Sequence, residues 1–128
     1  MCGFSGIVDF EKKEDLQENL NLSLDIISHR GPDHKGYFSD KNNGIYFGFN
    51  RLKILDLLDR SNQPFIDDSG DIVLMFNGEI YNYKEIRERF FKNEQLNSSG
   101  DTEILLRLYE KFGEDCLQYL NGMFAFAI

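Results

Sequence analysis

A cysteine at position 2 is a chemical unit in itself, because initiator methionine is commonly removed before a small second residue and leaves a thiol and a free α-amine on one residue. An α-amine titrates near roughly 7.7 to 8.0, so part of it is unprotonated at neutral pH and can take the thiol proton directly or through one water. No histidine is then needed as base. The plain alternative is a small buried cysteine that happens to lie second, and Cys116, on a helical stretch, fits that plainer reading better.

Asn77-Gly78 admits two readings. Between β-prone runs it is the signature of a tight hairpin turn, but a side-chain amide beside an unobstructed backbone N–H also makes a pair of oxyanion donors. Glu79 would add a carboxylate beside them. Ser98-x-x-Asp101 resembles a helix capping box, with Asp101 as an acid in a first turn, and the same carboxylate could hold a cationic ligand. Arg51 closes an apolar strand, where a surface arginine is ordinary, and its planar fork of donors also suits a substrate carboxylate. His29 and His34 flank Arg30-Gly31-Pro32-Asp33 and could be joined to Cys2 and Asn77 as a papain-like set, although the residues around Cys2 do not resemble such proteases.

The elements that must position these residues follow from periodicity. Phe4 to Phe10 reads as a strand, and Leu16, Leu20, Leu24 and Ile27 recur at helical spacing, predicting a helix from about Leu16 to Ser28 that Arg30-Gly31-Pro32-Asp33 ends. Tyr37 to Ser39 and Ile45 to Phe49 flank Lys41-Asn42-Asn43-Gly44 as a hairpin, and Arg51 to Leu57 is expected to continue as a further strand. Asp67 to Asp71 is a turn cluster before the buried strand Ile72 to Phe76, with a short β-prone piece from Glu79 to Asn82. Helices follow over Lys84 to about Lys92 and Thr102 to Phe112, where Gly113 can terminate, and Gly122 to Ile128 is a last buried strand. The reading is α+β with mostly antiparallel strands.

Composition narrows the function. With 22 acidic and 14 basic residues the net charge is -8, and the Lys and Arg are scattered, so no basic face exists for a nucleic-acid partner. No apolar run approaches the roughly 20 residues of a membrane span, and no basic-then-apolar leader opens the chain. A cytoplasmic location is the expectation, and there two cysteines outside any CxxC pair are free thiols. At 128 residues, with no internal repeat or linker, one folding unit is expected.

Met1-Cys2-Gly3, Arg30-Gly31-Pro32-Asp33, Arg51-Leu52-x-Ile54, Phe76-Asn77-Gly78-Glu79-Ile80-Tyr81-Asn82-Tyr83, Gly100-Asp101-Thr102-Glu103 and Leu120-Asn121-Gly122-Met123-Phe124-Ala125-Phe126-Ala127 occur in this order along nearly the whole chain. Together they resemble asparagine synthetases of the glutamine-hydrolysing type. The resemblance implies a class II glutamine amidotransferase domain over residues 2–128, an N-terminal-nucleophile hydrolase whose two antiparallel sheets pack between helix layers as a four-layer sandwich. It implies Cys2 as nucleophile with its amine as base, and Asn77 and Gly78 as the oxyanion hole. Arg51 would bind the α-carboxylate of glutamine, and Glu79 and Asp101 its α-ammonium. The main chain of Leu52, Ile54 and Leu55 would line the pocket, with Arg30 as a supporting loop arginine. Phe49-Asn50 stands where the family more often has a basic pair.

The implied partners are L-glutamine and, through a synthetase domain, aspartate as ammonia acceptor, with a homodimer possible in a full-length protein. The resemblance also leads to the expectation that the domain continues past Ile128 and that the synthetase domain, with its ATP and Mg, is absent. No glycine-rich phosphate cradle, cofactor motif or metal set appears in these residues. The alternatives are a non-catalytic or truncated glutamine-binding module, or the glutaminase part of an amidotransferase acting on another acceptor such as a surface sugar.

Overall fold

Where apolar residues alternate the chain forms strands, and where they recur every three or four residues it forms helices; a computed structural model describes residues 2–11 and 15–128. In chain order the elements are β1 (Gly3–Val8), α1 (Gln17–Ile26), β2 (His34–Asp40), β3 (Ile45–Arg51), β4 (Phe65–Ile66), β5 (Val73–Ile80), α2 (Tyr83–Phe90), α3 (Asp101–Phe112) and β6 (Gly122–Ala127). Two antiparallel three-stranded sheets result, ordered β1-β3-β2 and β4-β5-β6.

The predicted stripe on α1 packs as its spacing requires. Leu20 and Leu24 are fully buried against Tyr46 of β3, with Leu16, Ile27 and Ile7 around them. On the far side of the molecule Leu74, Phe76 and Ile80 of β5 bury against Ile86 of α2 and Ile104, Leu105 and Leu108 of α3. Strand alternation leaves the other faces of β3 and β5 to meet each other, and there Phe49 and Met75 are both fully buried. The layers therefore run α1, first sheet, second sheet, then α2 with α3. This is the four-layer α+β arrangement expected. Cys116 belongs to the second core, where burial, with Asp115 nearby, pushes its thiol pKa up, so it takes the structural role.

Three expectations are revised. The strand expected over Gly122 to Ile128 forms as β6 but is not buried: its residues are half-buried or exposed, with Met123 71% exposed. Residues 52–57 do not continue as a strand: β3 ends at Arg51, and the chain then folds back so that the carbonyls of Leu55, Asp56 and Leu58 turn onto the Arg51 guanidinium, with Asp56 in the left-handed region at φ 41°. Carbonyls that bond a side chain are lost to a sheet ladder. Asn77-Gly78 is no turn, since β5 runs unbroken through it and pairs Asn77 with Ala125 and Gly78 with Phe124. Glycine is needed at 78 because β6 approaches closely, and a Cβ there would lie 2.3 Å from the Met123 carbonyl oxygen and 2.5 Å from the Phe124 Cα.

Candidate active site

Register assigns the groups of β5 to different directions. In an antiparallel pair, alternate residues turn their N–H and C=O toward the partner strand or away from it. The N–H of Tyr81 donates to Asn121 on the β6 side, so Ile80, Gly78 and Phe76 point their backbone groups to the opposite edge. Ile80 donates there to Asp101 Oδ2 at 2.9 Å. Phe76 is clasped by the buried side chain of Gln63, which accepts from its N–H at 2.6 Å and donates to its C=O at 3.0 Å. Gly78 lies midway between these two anchors, and its N–H has no such side-chain partner among the described residues. The side chains of Asn77 and Glu79 share the face of β5 that also carries Met75, turned toward the first sheet.

Cys2 arrives at this place from the first sheet. Pairing of Gly3 with Asn50 sets the start of β1 beside the end of β3, and the Leu52 N–H donates to the Cys2 Sγ at 3.3 Å while the thiol reaches the Leu52 carbonyl at 3.5 Å. Arg30 Nε donates to the Cys2 carbonyl at 3.0 Å. Arg30 thus holds the backbone of the nucleophile candidate and does not line the cavity.

Arg51, 4% exposed, extends from the last residue of β3 into the loop that follows. Its Nη1 donates to the Leu58 carbonyl at 2.9 Å and to Asn62 Oδ1 at 2.7 Å, and its Nη2 donates to the carbonyls of Asp56 and Leu55. These acceptors are neutral, and no acidic side chain pairs with the guanidinium among the described residues. Asp101 is the opposite pole. It opens α3 rather than capping it, since Gly100 occupies the cap position, and its carboxylate is buried, with the Ile80 N–H as hydrogen-bond donor and no cationic side chain beside it among the described residues. Burial raises its pKa above the ordinary carboxylate value, the hydrogen bonds from Ile80 and its own first turn oppose that shift, and the charge of nearby Glu79 adds to it.

One cavity of about 400 Å³ joins these groups. Cys2, Arg51, Leu52, Ile54, Leu55, Asn77, Gly78, Glu79 and Asp101 all line it, so of the site residues expected from sequence it gathers every one except Arg30. His29 and His34 do not line it, and the papain-like arrangement finds no geometry. Tyr81 and Met123 form part of an apolar wall, both largely exposed.

Three residues that sequence reasoning did not single out support this site. Gln63 clasps Phe76 beside Asn77. Glu103, 2% exposed, accepts from the N–H groups of Asn97 at 2.9 Å and Ser98 at 2.5 Å, and Asp56 accepts from Ser99. In the sequence they are a loop glutamine before a proline, an acid inside the apolar run from Ile54 to Leu58, and the last acid of the Gly100-Asp101-Thr102-Glu103 string, none of them at a spacing that marks it as an acceptor for these backbone groups. Among the described residues no group of His, Cys, Asp and Glu could hold a metal ion, and no helix is long and apolar enough to cross a membrane.

Comparison with known proteins identifies the family. Residues 1–128 match the family model of the glutamine amidotransferase domain. A protein of Methanocaldococcus jannaschii, named provisionally as a glutamine-hydrolysing asparagine synthetase, is 42% identical over the whole of this chain, which covers 27% of that relative. A glutamine-hydrolysing asparagine synthetase of Bacillus subtilis is 41% identical over the whole chain and 20% of its own length, and an amidase of Gibberella zeae is 33% identical over the whole chain and 21% of its own. The chain thus spans between a fifth and just over a quarter of the length of these relatives. By the family match along its full length, and by relatives at this identity, the chain belongs to the glutamine amidotransferase domain family.

Proposed function

We propose that this domain hydrolyses L-glutamine to glutamate and ammonia, with Cys2 as the nucleophile. The observation that carries the reading is electrostatic: one cavity holds a thiol, an arginine and a buried carboxylate, and among the described residues the arginine has no acidic partner and the carboxylate no cationic one. A molecule bearing a carboxylate and an ammonium on one carbon neutralises both poles at once, and its side-chain amide then extends toward Cys2. Burying an unpaired charge is costly, so the free site favours such a zwitterion.

With Met1 removed, the Cys2 amine takes the thiol proton and the sulfur attacks the amide carbon of glutamine. The carbonyl oxygen becomes an oxyanion, within the reach assigned to the Asn77 side-chain amide and the Gly78 N–H. Collapse expels ammonia, which leaves with the proton the amine took up, and a γ-glutamyl thioester remains on Cys2. Water, deprotonated by the same amine, adds to the thioester carbon and releases glutamate with the thiol restored. Arg51 and the main chain of Leu52, Ile54 and Leu55 hold the α-carboxylate, and Glu79 and Asp101 the α-ammonium.

In the protein to which this domain belongs the ammonia is passed to aspartate, making asparagine, with ATP and Mg acting in a synthetase region outside these residues. This rests on the relatives named as glutamine-hydrolysing asparagine synthetases. The relative named as an amidase covers the chain equally well, so a different acceptor is the competing outcome of an acceptor assay.

Intact mass and glutaminase turnover test the core of the proposal together. The active chain should begin at Cys2, and Cys2→Ala should lose ammonia release while binding glutamine within a few fold of wild type. Turnover by Cys2→Ala, or full activity with Met1 retained, would refute the N-terminal nucleophile.

A further inference from the structure

We propose that Asp56, which does not line the cavity, is a positioning residue that locks the two ends of the glutamine grip at a fixed separation. The inference rests on the reading of Arg51 and Asp101 as those two ends. Its basis is a set of contacts that converge on this one residue from both sides. The Asp56 carbonyl accepts from Arg51 Nη2. Its side chain, 2% exposed, accepts at Oδ2 from the Ser99 N–H at 2.8 Å and the Ser99 hydroxyl at 3.1 Å. Arg60 Nε, at 2.9 Å on the same oxygen, and the Leu58 N–H, at 3.3 Å on Oδ1, complete its surroundings.

Ser99 lies two residues before Asp101 in a segment whose successive N–H groups are all taken by carboxylates. Those of Asn97 and Ser98 go to Glu103, which belongs to α3 itself, so they tie the segment only to its own helix. The Ser99 N–H goes to Asp56, 43 positions away in the chain. Among these bonds it is the one that reaches across from the helix carrying the negative pole to the loop carrying the positive one. Asp56 has left-handed backbone, and from it the carbonyl meets Arg51 while the side chain meets Ser99. Burial alone would raise the carboxyl pKa, but the bonds from Ser99, Arg60 and Leu58 outweigh it and hold the group ionised far into acid.

A clasp of this kind acts on ligands gripped at both ends more than on ligands gripped at one. Glutaramate, which is glutamine without its α-ammonium, supplies the second kind. In wild type, Asp56→Asn and Ser99→Ala, the KM and kcat for L-glutamine, the inhibition constant of glutaramate, and thermal unfolding should all be measured. An asparagine at 56 keeps the size but turns one acceptor into a donor, and should raise KM for glutamine by about tenfold or more, with the glutaramate constant changed less than threefold and kcat largely kept. Ser99→Ala removes one hydroxyl from an exposed position and should shift the same ratio by about threefold. Because the ratio of the two constants is independent of the folded fraction, a purely structural role would lower the unfolding temperature and leave it unchanged. An unchanged ratio in both variants, or in Ser99→Ala alone should Asp56→Asn fail to fold, would overturn the clasp. A wild-type chain that does not prefer glutamine over glutaramate would instead overturn the two-pole reading beneath it.

Discussion

Replacing Gln63 by methionine isolates a contribution that can be worked from the structure. The side chain is buried and makes two bonds to one residue, accepting from the Phe76 N–H at 2.6 Å and donating to the Phe76 carbonyl at 3.0 Å. Its own backbone is fixed by the close approach of Gly36, where a Cβ would fall 1.8 Å from the Gln63 carbonyl oxygen. The amide therefore stands in for a strand next to β5 where the short β4 has already ended. Methionine has similar volume and opens little cavity, so the change amounts to leaving one buried N–H and one buried C=O without partners. At about 1 to 3 kcal/mol for each unsatisfied group, the loss is about 2 to 6 kcal/mol. Against a typical total of about 5 to 15 kcal/mol, denaturant unfolding should register it plainly.

Gln63→Glu supplies an internal control with a sign. A protonated carboxyl accepts from the Phe76 N–H and donates to its carbonyl, as the amide does, whereas an ionised one cannot donate and places a charge in a dry site. The introduced group should then have a folded pKa raised above its unfolded value of about 4.3. Its stabilisation is fully present below the unfolded value and is lost as pH rises through the folded one. Relative to wild type the variant should unfold almost normally near about pH 4 and be strongly destabilised near about pH 8. A loss below about 0.5 kcal/mol in Gln63→Met, or a pH-independent offset in Gln63→Glu, would show that the clasp on Phe76 is not what holds this edge of β5.

Asn77→Ala should lower kcat for glutamine on the order of a hundredfold with a smaller change in KM, because the charge it is assigned to meet arises only in the transition state; a rise in KM alone would remove it from that role. Gly78→Ala places a methyl against the backbone of β6 and should cost both thermal stability and activity, so a variant that unfolds like wild type would contradict the close approach. Asp101 has a folded pKa raised by burial, so in the free domain its contribution is favourable below the ordinary value of about 3.9 and is lost as pH rises through the folded pKa. Bound ammonium should reverse this. In Cys2→Ala, saturating glutamine should raise the unfolding temperature more above that pKa than below it, and Asp101→Asn should flatten the difference.

The helices α1 and α3 and the β2–β3 hairpin were legible in the sequence, because each buries a periodic apolar stripe or closes on its own turn, and such local choices need few distant partners. The candidate residues were also legible, but only by their resemblance in order along the chain; taken singly, each had an ordinary structural reading of equal or greater weight. One dipeptide shows the limit. Asn43-Gly44 forms the hairpin turn with Gly44 at φ 67°, while Asn77-Gly78 runs straight through the middle of β5. Nothing within either dipeptide separates these fates. Pairing with β6, where Asn77 meets Ala125 and Gly78 meets Phe124, decides the second, and with it the edge to which the Gly78 N–H points. The loop after Arg51 looked like a strand because its residues are apolar and β-prone, yet the guanidinium captured its carbonyls. Gln63 and Asp56 were invisible in the sequence, since a polar side chain that bonds distant backbone leaves no periodic trace. The sequence by itself determined the segments whose apolar stripe or turn closes locally and which residue types are available for chemistry. Only the tertiary structure decided which backbone groups face the cavity and which side chains hold them there, because bonds such as those of Gln63 to Phe76 and of Asp56 to Ser99 join residues 13 and 43 positions apart.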